Sequence, residues 1–95
     1  MNYTHIVELS PVDNRRSFYG KAKMMYDDAA AVYVLHSYGT PVCTYSPNND
    51  TFTRLWSGYS ATTLRHVNAF RDAFCGGKLS KAAWCALPVG VAVPL

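Results

Sequence analysis

The residues best suited to chemistry in this 95-residue chain lie in the segment Tyr59–His66, where hydroxyl side chains lead into a helical pattern. Ser60, Thr62 and Thr63 stand at the expected start of that helix, and Arg65 follows on its first turn. The first N–H groups of a helix have no partner within it, so hydroxyls there either cap them or help to hold an anion. One cap needs one hydroxyl. An anion or partner site therefore stays open beside simple capping.

The histidines and cysteines do not form a recognisable metal or disulfide pattern. His66, next to Arg65, could contact a ligand, and the alternative is a structural histidine whose hydrogen bonds are satisfied inside the fold. The three histidines are scattered, and the three cysteines include no Cys-x-x-Cys pair. No paired carboxylates and no nucleophile–base pair can be named from the spacing. We therefore expect a non-catalytic protein that uses neither a metal nor a cofactor.

A second candidate binding site combines basic and aromatic residues near the start of the chain: Arg15, Arg16, Tyr19, Lys21 and Lys23. Basic side chains neutralise phosphates and aromatic rings stack on bases, which is typical of nucleotide or nucleic-acid binding. Lys21 and Lys23 would share one face of a strand. The alternative is a solvated sheet edge whose charges discourage aggregation.

Composition and charge limit the class of protein. The chain is 49% hydrophobic and 14% aromatic, which predicts one folded domain over residues 1–95. Nine Lys and Arg against six Asp and Glu give a net charge of +3, which permits acidic partners without demanding them. No signal peptide and no membrane-spanning run is visible, so the sequence predicts a cytoplasmic protein with free thiols and no membrane partner.

Four segments have strand patterns separated by residues typical of turns. Each flanking segment has two interpretations: residues 3–9 form a short strand or an extended arm, and the apolar tail 89–95 forms an edge strand or covers a partner. The four predicted strands are Lys21–Met24, Ala30–Tyr38, Val42–Tyr45 and Thr51–Trp56.

The hydrophobic period then changes from 2 to 3.6, which predicts a main helix. Its core face carries Leu64, Val67, Phe70 and Phe74. We expect Gly76-Gly77 to end it in the left-handed conformation. Ser80 begins a shorter helix, and Trp84 belongs to the core or to a subunit interface. Strands followed by helices predict an α+β fold: a small antiparallel sheet of about four strands, one main helix and one short helix.

Three segments in this order resemble a family of small uncharacterised proteins found in phages and in prophage-bearing bacterial genomes: Ser17–Lys23, Leu35–Thr40 and Tyr59–His66. The resemblance spans most of the chain. It departs at Gly39, where an acidic residue is common, and in the apolar tail after Pro88. The resemblance implies a phage-borne accessory protein in the cytoplasm of a bacterial host, and it implies no activity.

Three functions follow as expectations. The first is a non-catalytic accessory protein that binds and neutralises a host protein, for example a component of an antiviral defence system. The second is an oligomeric binder that sequesters a phosphorylated nucleotide signal, with the apolar tail as the subunit contact. The third is nucleic-acid binding, which predicts affinity that falls steeply with salt.

Overall fold

The computed structural model describes residues 3–9 and 20–95, and in the first strand it describes side chains from position 6 onward. Each strand of its sheet is hydrogen-bonded to the next along the chain, and all the pairs are antiparallel. The strands are β1 (Tyr3–Glu8), β2 (Ala22–Asp27), β3 (Val32–Ser37), β4 (Thr40–Ser46), β5 (Thr51–Arg54) and β6 (Ala92–Pro94).

The α+β class is confirmed, and the expected number of about four strands is too low for the described residues. The additional strands, β1 and β6, lie at the two edges of the sheet. β6 has three residues, and the tail carries no alternation of polar and apolar residues. A short apolar run cannot be assigned from periodicity alone, which explains why the tail left two interpretations open. The edge-strand interpretation is the one observed.

Two helices pack against one face of the sheet, called here the helix face. They are α1 (Ala61–Ala73) and α2 (Lys81–Ala86), each with a serine cap: Ser60 Oγ accepts from the Thr63 N–H at 3.0 Å, and Ser80 Oγ accepts from the Ala83 N–H at 3.1 Å. The core between helices and sheet consists of Ala22, Leu35, Val42, Cys43, Phe52, Val67, Ala69, Phe70 and Trp84.

Register determines which residues share a face. Ala22 pairs with Ser37 on the helix face, and Lys23 pairs with His36 on the opposite face. A register shift after Leu35 leaves Val42 as an extra residue in β4. Val42 is therefore buried with the core, and its carbonyl accepts from two N–H groups at the end of β5.

The end of α1 differs from the prediction. Cys75, with φ of 61°, takes the left-handed conformation expected of Gly76-Gly77. The Gly76 N–H then bonds the Arg71 carbonyl at 2.8 Å and closes the helix. Gly76 has a different reason to be glycine, because a Cβ there would lie 3.0 Å from Leu95 Cδ1. Close packing with the tail, rather than a positive φ, requires it.

Arg54, at the end of β5, joins three parts of the fold. Its Nε and Nη2 donate to the carbonyls of Trp56 and Ser57, both at 2.8 Å, and its Nη1 donates to the Trp84 carbonyl at 2.9 Å. The guanidinium also lies 4.5 Å from the centre of the Trp84 ring. The buried arginine thus holds the segment 56–58 and the end of α2 against the sheet.

In the part of the chain that the structure describes, no helix has the length and apolar character needed to cross a membrane.

Candidate functional site

A cleft of about 300 Å³ opens where the β3–β4 turn meets the start of α1. Three aromatic residues and four hydroxyl residues line it, and we call it the aromatic cleft. Its lining residues are Ser37, Tyr38, Thr40, Val42, Trp56, Tyr59, Ser60 and Thr63.

Tyr38 occupies an unusual position for a bulky residue. It and Gly39 form the two-residue turn between β3 and β4, with φ of 52° and 80°. Glycine, asparagine or aspartate is the ordinary choice at such positions, since a large side chain is disfavoured at positive φ. The Tyr38 side chain is 59% exposed, and its ring centre lies 5.7 Å from that of His66. The turn thus presents an aromatic ring at the rim of the cleft.

The other two aromatic walls come from the segment after β5. The Trp56 indole packs directly on Gly58, where an added Cβ would lie 2.5 Å from Trp56 Cζ2. Tyr59 is partly exposed, and the Lys81 ammonium lies 4.9 Å from the centre of its ring. A cation from the first turn of α2 therefore stands beside the aromatic cleft.

A hydrogen-bonded cluster forms the floor of the cleft. Ser37 Oγ lies 2.7 Å from His66 Nδ1 and 3.1 Å from Thr63 Oγ1. His66 is fully buried, and burial together with the charge of Arg65 lowers its pKa to about 4. At neutral pH the imidazole is uncharged and is a weak base. The cluster is therefore better suited to hold the Ser37 and Thr63 hydroxyls in place than to activate Ser37 as a nucleophile.

A second concavity, of about 450 Å³, lies on the opposite face of the sheet and meets the aromatic cleft at Tyr38. We call it the lysine groove, because Lys21 and Lys23 line it. The His36 imidazole faces it as well, and burial lowers the pKa of His36. The complete lining is Gly20, Lys21, Lys23, Met25, His36, Tyr38 and Gly39.

The structure distributes the predicted site residues over several places. Ser60 and Thr63 line the aromatic cleft. Thr62 is exposed on α1, half-buried Arg65 is outside both sets of lining residues, and buried His66 reaches the cleft through Ser37. The expected shared face of the two lysines is observed in the lysine groove. The predicted site residues Arg15, Arg16 and Tyr19 lie outside the described residues.

Several lining residues were not predicted as site residues. Ser37 and Tyr38 end the predicted strand Ala30–Tyr38, and Thr40 follows them in a segment that carries the family resemblance. A tyrosine before glycine at a turn is the sequence signal for this part of the site. The strand pattern predicts only a strand face for Trp56. The sequence contains no pattern that indicates Lys81 as a site residue, because Lys81 comes near the cleft only through the packing of α2.

Among the described residues, no three His, Cys, Asp or Glu side chains converge as metal ligands do.

The model of the Family of unknown function (DUF8033) matches residues 7–85. The chain belongs to this family. The DUF8033 match includes every residue that lines the two concavities and ends before β6. No curated protein and no solved structure matches the chain.

Proposed function

We propose that this chain is a non-catalytic binding protein for a phosphorylated nucleotide, whose base lies in the aromatic cleft. The observation that carries the proposal is the meeting at Tyr38 of a cleft walled by three aromatic rings and a groove lined by two lysines. Aromatic rings stack on bases of any sequence, and lysines neutralise phosphates. The two kinds of side chain that nucleotides require are therefore adjacent.

The polar lining of the cleft supports the same ligand class. The hydroxyl of exposed Thr40 can donate or accept a hydrogen bond, as the edge of a base or a ribose requires. The hydroxyls of Ser37, Ser60 and Thr63 already take part in hydrogen bonds within the fold and add a polar surface to the cleft. Small-molecule sites commonly combine an apolar wall with a few such groups, in volumes of roughly 300 Å³ upward. Lys81 beside Tyr59 adds a positive charge at the rim.

Calorimetric titration with nucleosides, nucleotides and short single strands of DNA and RNA tests the proposal. We expect a nucleotide to bind and Tyr59→Leu to weaken binding about tenfold, since one stacked ring contributes roughly 1–3 kcal/mol. Tyr26→Leu is the matched control, because half-buried Tyr26 lines neither concavity. No binding of any nucleotide, or equal losses in both variants, would contradict the proposal.

The same titration distinguishes nucleotide binding from nucleic-acid binding, and one further experiment tests the neutralisation of a host protein. Binding restricted to the nucleic-acid strands, with a steep loss in added salt, would favour a nucleic-acid-binding protein. Neutralisation of a host protein stays a prediction, as does the phage origin. Neutralisation of a host protein requires that such a protein co-purifies with the chain and that co-expression of the chain protects phage from a defence system.

A further inference from the structure

The aromatic cleft and the lysine groove lie on opposite faces of the sheet. Ser37 faces the helices from β3, and His36, the residue before it, faces away beside Lys23. Facing sheets pack about 10 Å apart, so side chains reach on the order of 5 Å from each face. A ligand that contacts both concavities must therefore span on the order of 10 Å around the β3–β4 turn.

The turn leaves room for such a path. A Cβ on Gly39 would meet no atom within 4 Å, so the space above the turn is open on the side of the lysine groove. The Tyr38 N–H donates to the Lys21 carbonyl at 2.8 Å, which keeps the turn close to the start of β2. Tyr38, shared by both concavities, lies between the stacking walls and the two lysines.

The charge of the groove is positive but is partly balanced. Glu8 of β1 lies opposite Lys23 of β2 in the strand register, and Glu8 is exposed. Its carboxylate also extends toward Gly20, where an added Cβ would lie 2.5 Å from Glu8 Oε1. A phosphate in the groove would be attracted by the positive charges of Lys21 and Lys23 and repelled by the carboxylate of Glu8.

We infer that the ligand carries two or more phosphate groups, as a nucleoside polyphosphate or a dinucleotide does, and that its phosphates cross the turn into the lysine groove. The inference rests on the proposed function, because the base in the aromatic cleft is its starting point. The path from the aromatic cleft around the turn to Lys21 and Lys23 is on the order of 10 Å, and a chain of phosphates gives the ligand that reach. Two or more phosphates supply the length and match the charge.

The test compares, at low salt, the affinity for a nucleoside, its monophosphate, its triphosphate and a dinucleotide that carries two phosphates. We expect the triphosphate or the dinucleotide to bind at least tenfold more tightly than the monophosphate. Lys23→Gln should reduce the affinity for the multiply phosphorylated ligands about twofold to fivefold, as loss of one exposed charge contact does. Glu8→Gln should increase that affinity by a similar factor, and a misfolded variant could not produce such an increase.

Lys78→Gln is the matched control, because exposed Lys78 follows α1 and lines neither concavity. Lys78→Gln should bind the nucleoside and the multiply phosphorylated ligands as the unmodified chain does. Equal affinities for the monophosphate and the multiply phosphorylated ligands would overturn the inference while leaving the proposed function intact. Equal changes in affinity in the Lys23 and Lys78 variants would also overturn the inference and leave the proposed function intact. Absence of binding to every compound would instead remove the proposed function itself.

Discussion

At the scale of single residues, His66 shows how burial and hydrogen bonding shape the candidate site. The imidazole is enclosed in the core, and its Nδ1 lies within hydrogen-bond distance of Ser37 Oγ, which in turn contacts the Thr63 hydroxyl. Polar clusters of this kind are stable only when their members satisfy one another. His66 thus contacts the lining of the cleft through Ser37, and a direct contact of His66 with a ligand stays a prediction.

The lowered pKa of His66 predicts a loss of stability in mild acid. The unfolded chain protonates this histidine near pH 6.5, whereas the folded chain does so near pH 4. Between these values the unfolded state binds more protons, so the free energy of unfolding falls as the pH drops from 6.5 toward 4. The full difference is about 3 kcal/mol.

Urea denaturation at several pH values between 7 and 4 measures this loss. His66→Asn is the reference variant, because asparagine keeps a hydrogen-bonding side chain and does not titrate. Its free energy of unfolding should fall less over this range. Since carboxylates titrate in both proteins, their contribution cancels in the comparison, and parallel curves would refute the assignment to His66.

At the scale of elements, Arg54 couples the sheet to the segment that builds the aromatic cleft. Its guanidinium donates to carbonyls of the segment 56–58 and to carbonyls at the end of α2. The Trp84 indole N–H bonds the Gly58 carbonyl at 2.9 Å and adds a second link between these elements. The positions of Trp56 and Tyr59 thus depend on one buried arginine.

Arg54→Lys should lower the free energy of unfolding by about 2–4 kcal/mol. Lysine has no planar guanidinium that reaches carbonyls of two elements, so some of these carbonyls would lose their hydrogen-bond donor. Nucleotide affinity should fall together with stability. Arg71→Lys is the comparison, because the Arg71 guanidinium bonds the Gly77 carbonyl and lies over the Phe52 ring, away from the cleft. Thermal unfolding and calorimetry measure both effects. Equal loss of affinity in the two variants would contradict the coupling.

The elements themselves could largely be predicted from local patterns. Ser60 and Ser80 are observed as helix caps, and the helical spacing of Val67 and Phe70 places both in the core. Phe52 and Arg54 share the helix face as strand alternation predicts. The left-handed Cys75 could not be foreseen, because the packing of Gly76 against the tail decides where the helix closes.

The site could be predicted only in part, for a physical reason. Lys21, Lys23, Ser60 and Thr63 follow from strand alternation and capping, which are local. The contribution of Tyr38 depends on a local turn with two positive φ values, and the Tyr38-Gly39 pair is its signal in the sequence. The contribution of α2 depends on a contact between distant residues, Lys81 and Tyr59. Patterns along the chain carry no information about such contacts.

At the scale of the whole molecule, the apolar tail contributes to the sheet rather than to the site. Val93 pairs with Phe52 and, with Leu95, packs against the core. The tail lies outside the DUF8033 match, and none of its residues lines either concavity. Stability and binding are therefore expected to respond differently to its removal.

A variant that ends at Pro88 should lose about 1–3 kcal/mol of unfolding free energy, because two half-buried apolar side chains are removed. Nucleotide affinity should stay unchanged. Native mass measurement of the same variant tests the predicted homo-oligomer, which should dissociate if the tail is its contact. A truncated chain that keeps its stability, or that loses nucleotide binding, would contradict this division of roles.

The two edges of the sheet also bear on how the protein behaves at high concentration. An exposed edge strand offers unpaired backbone groups to another molecule and promotes aggregation. Here β6 has three residues and ends with Pro94, which has no N–H to donate, and β1 has a register irregularity between Thr4 and Val7. Neither edge is a long, regular template for a further strand. Within the residues that the structure describes, growth of an extended sheet from either edge is therefore disfavoured.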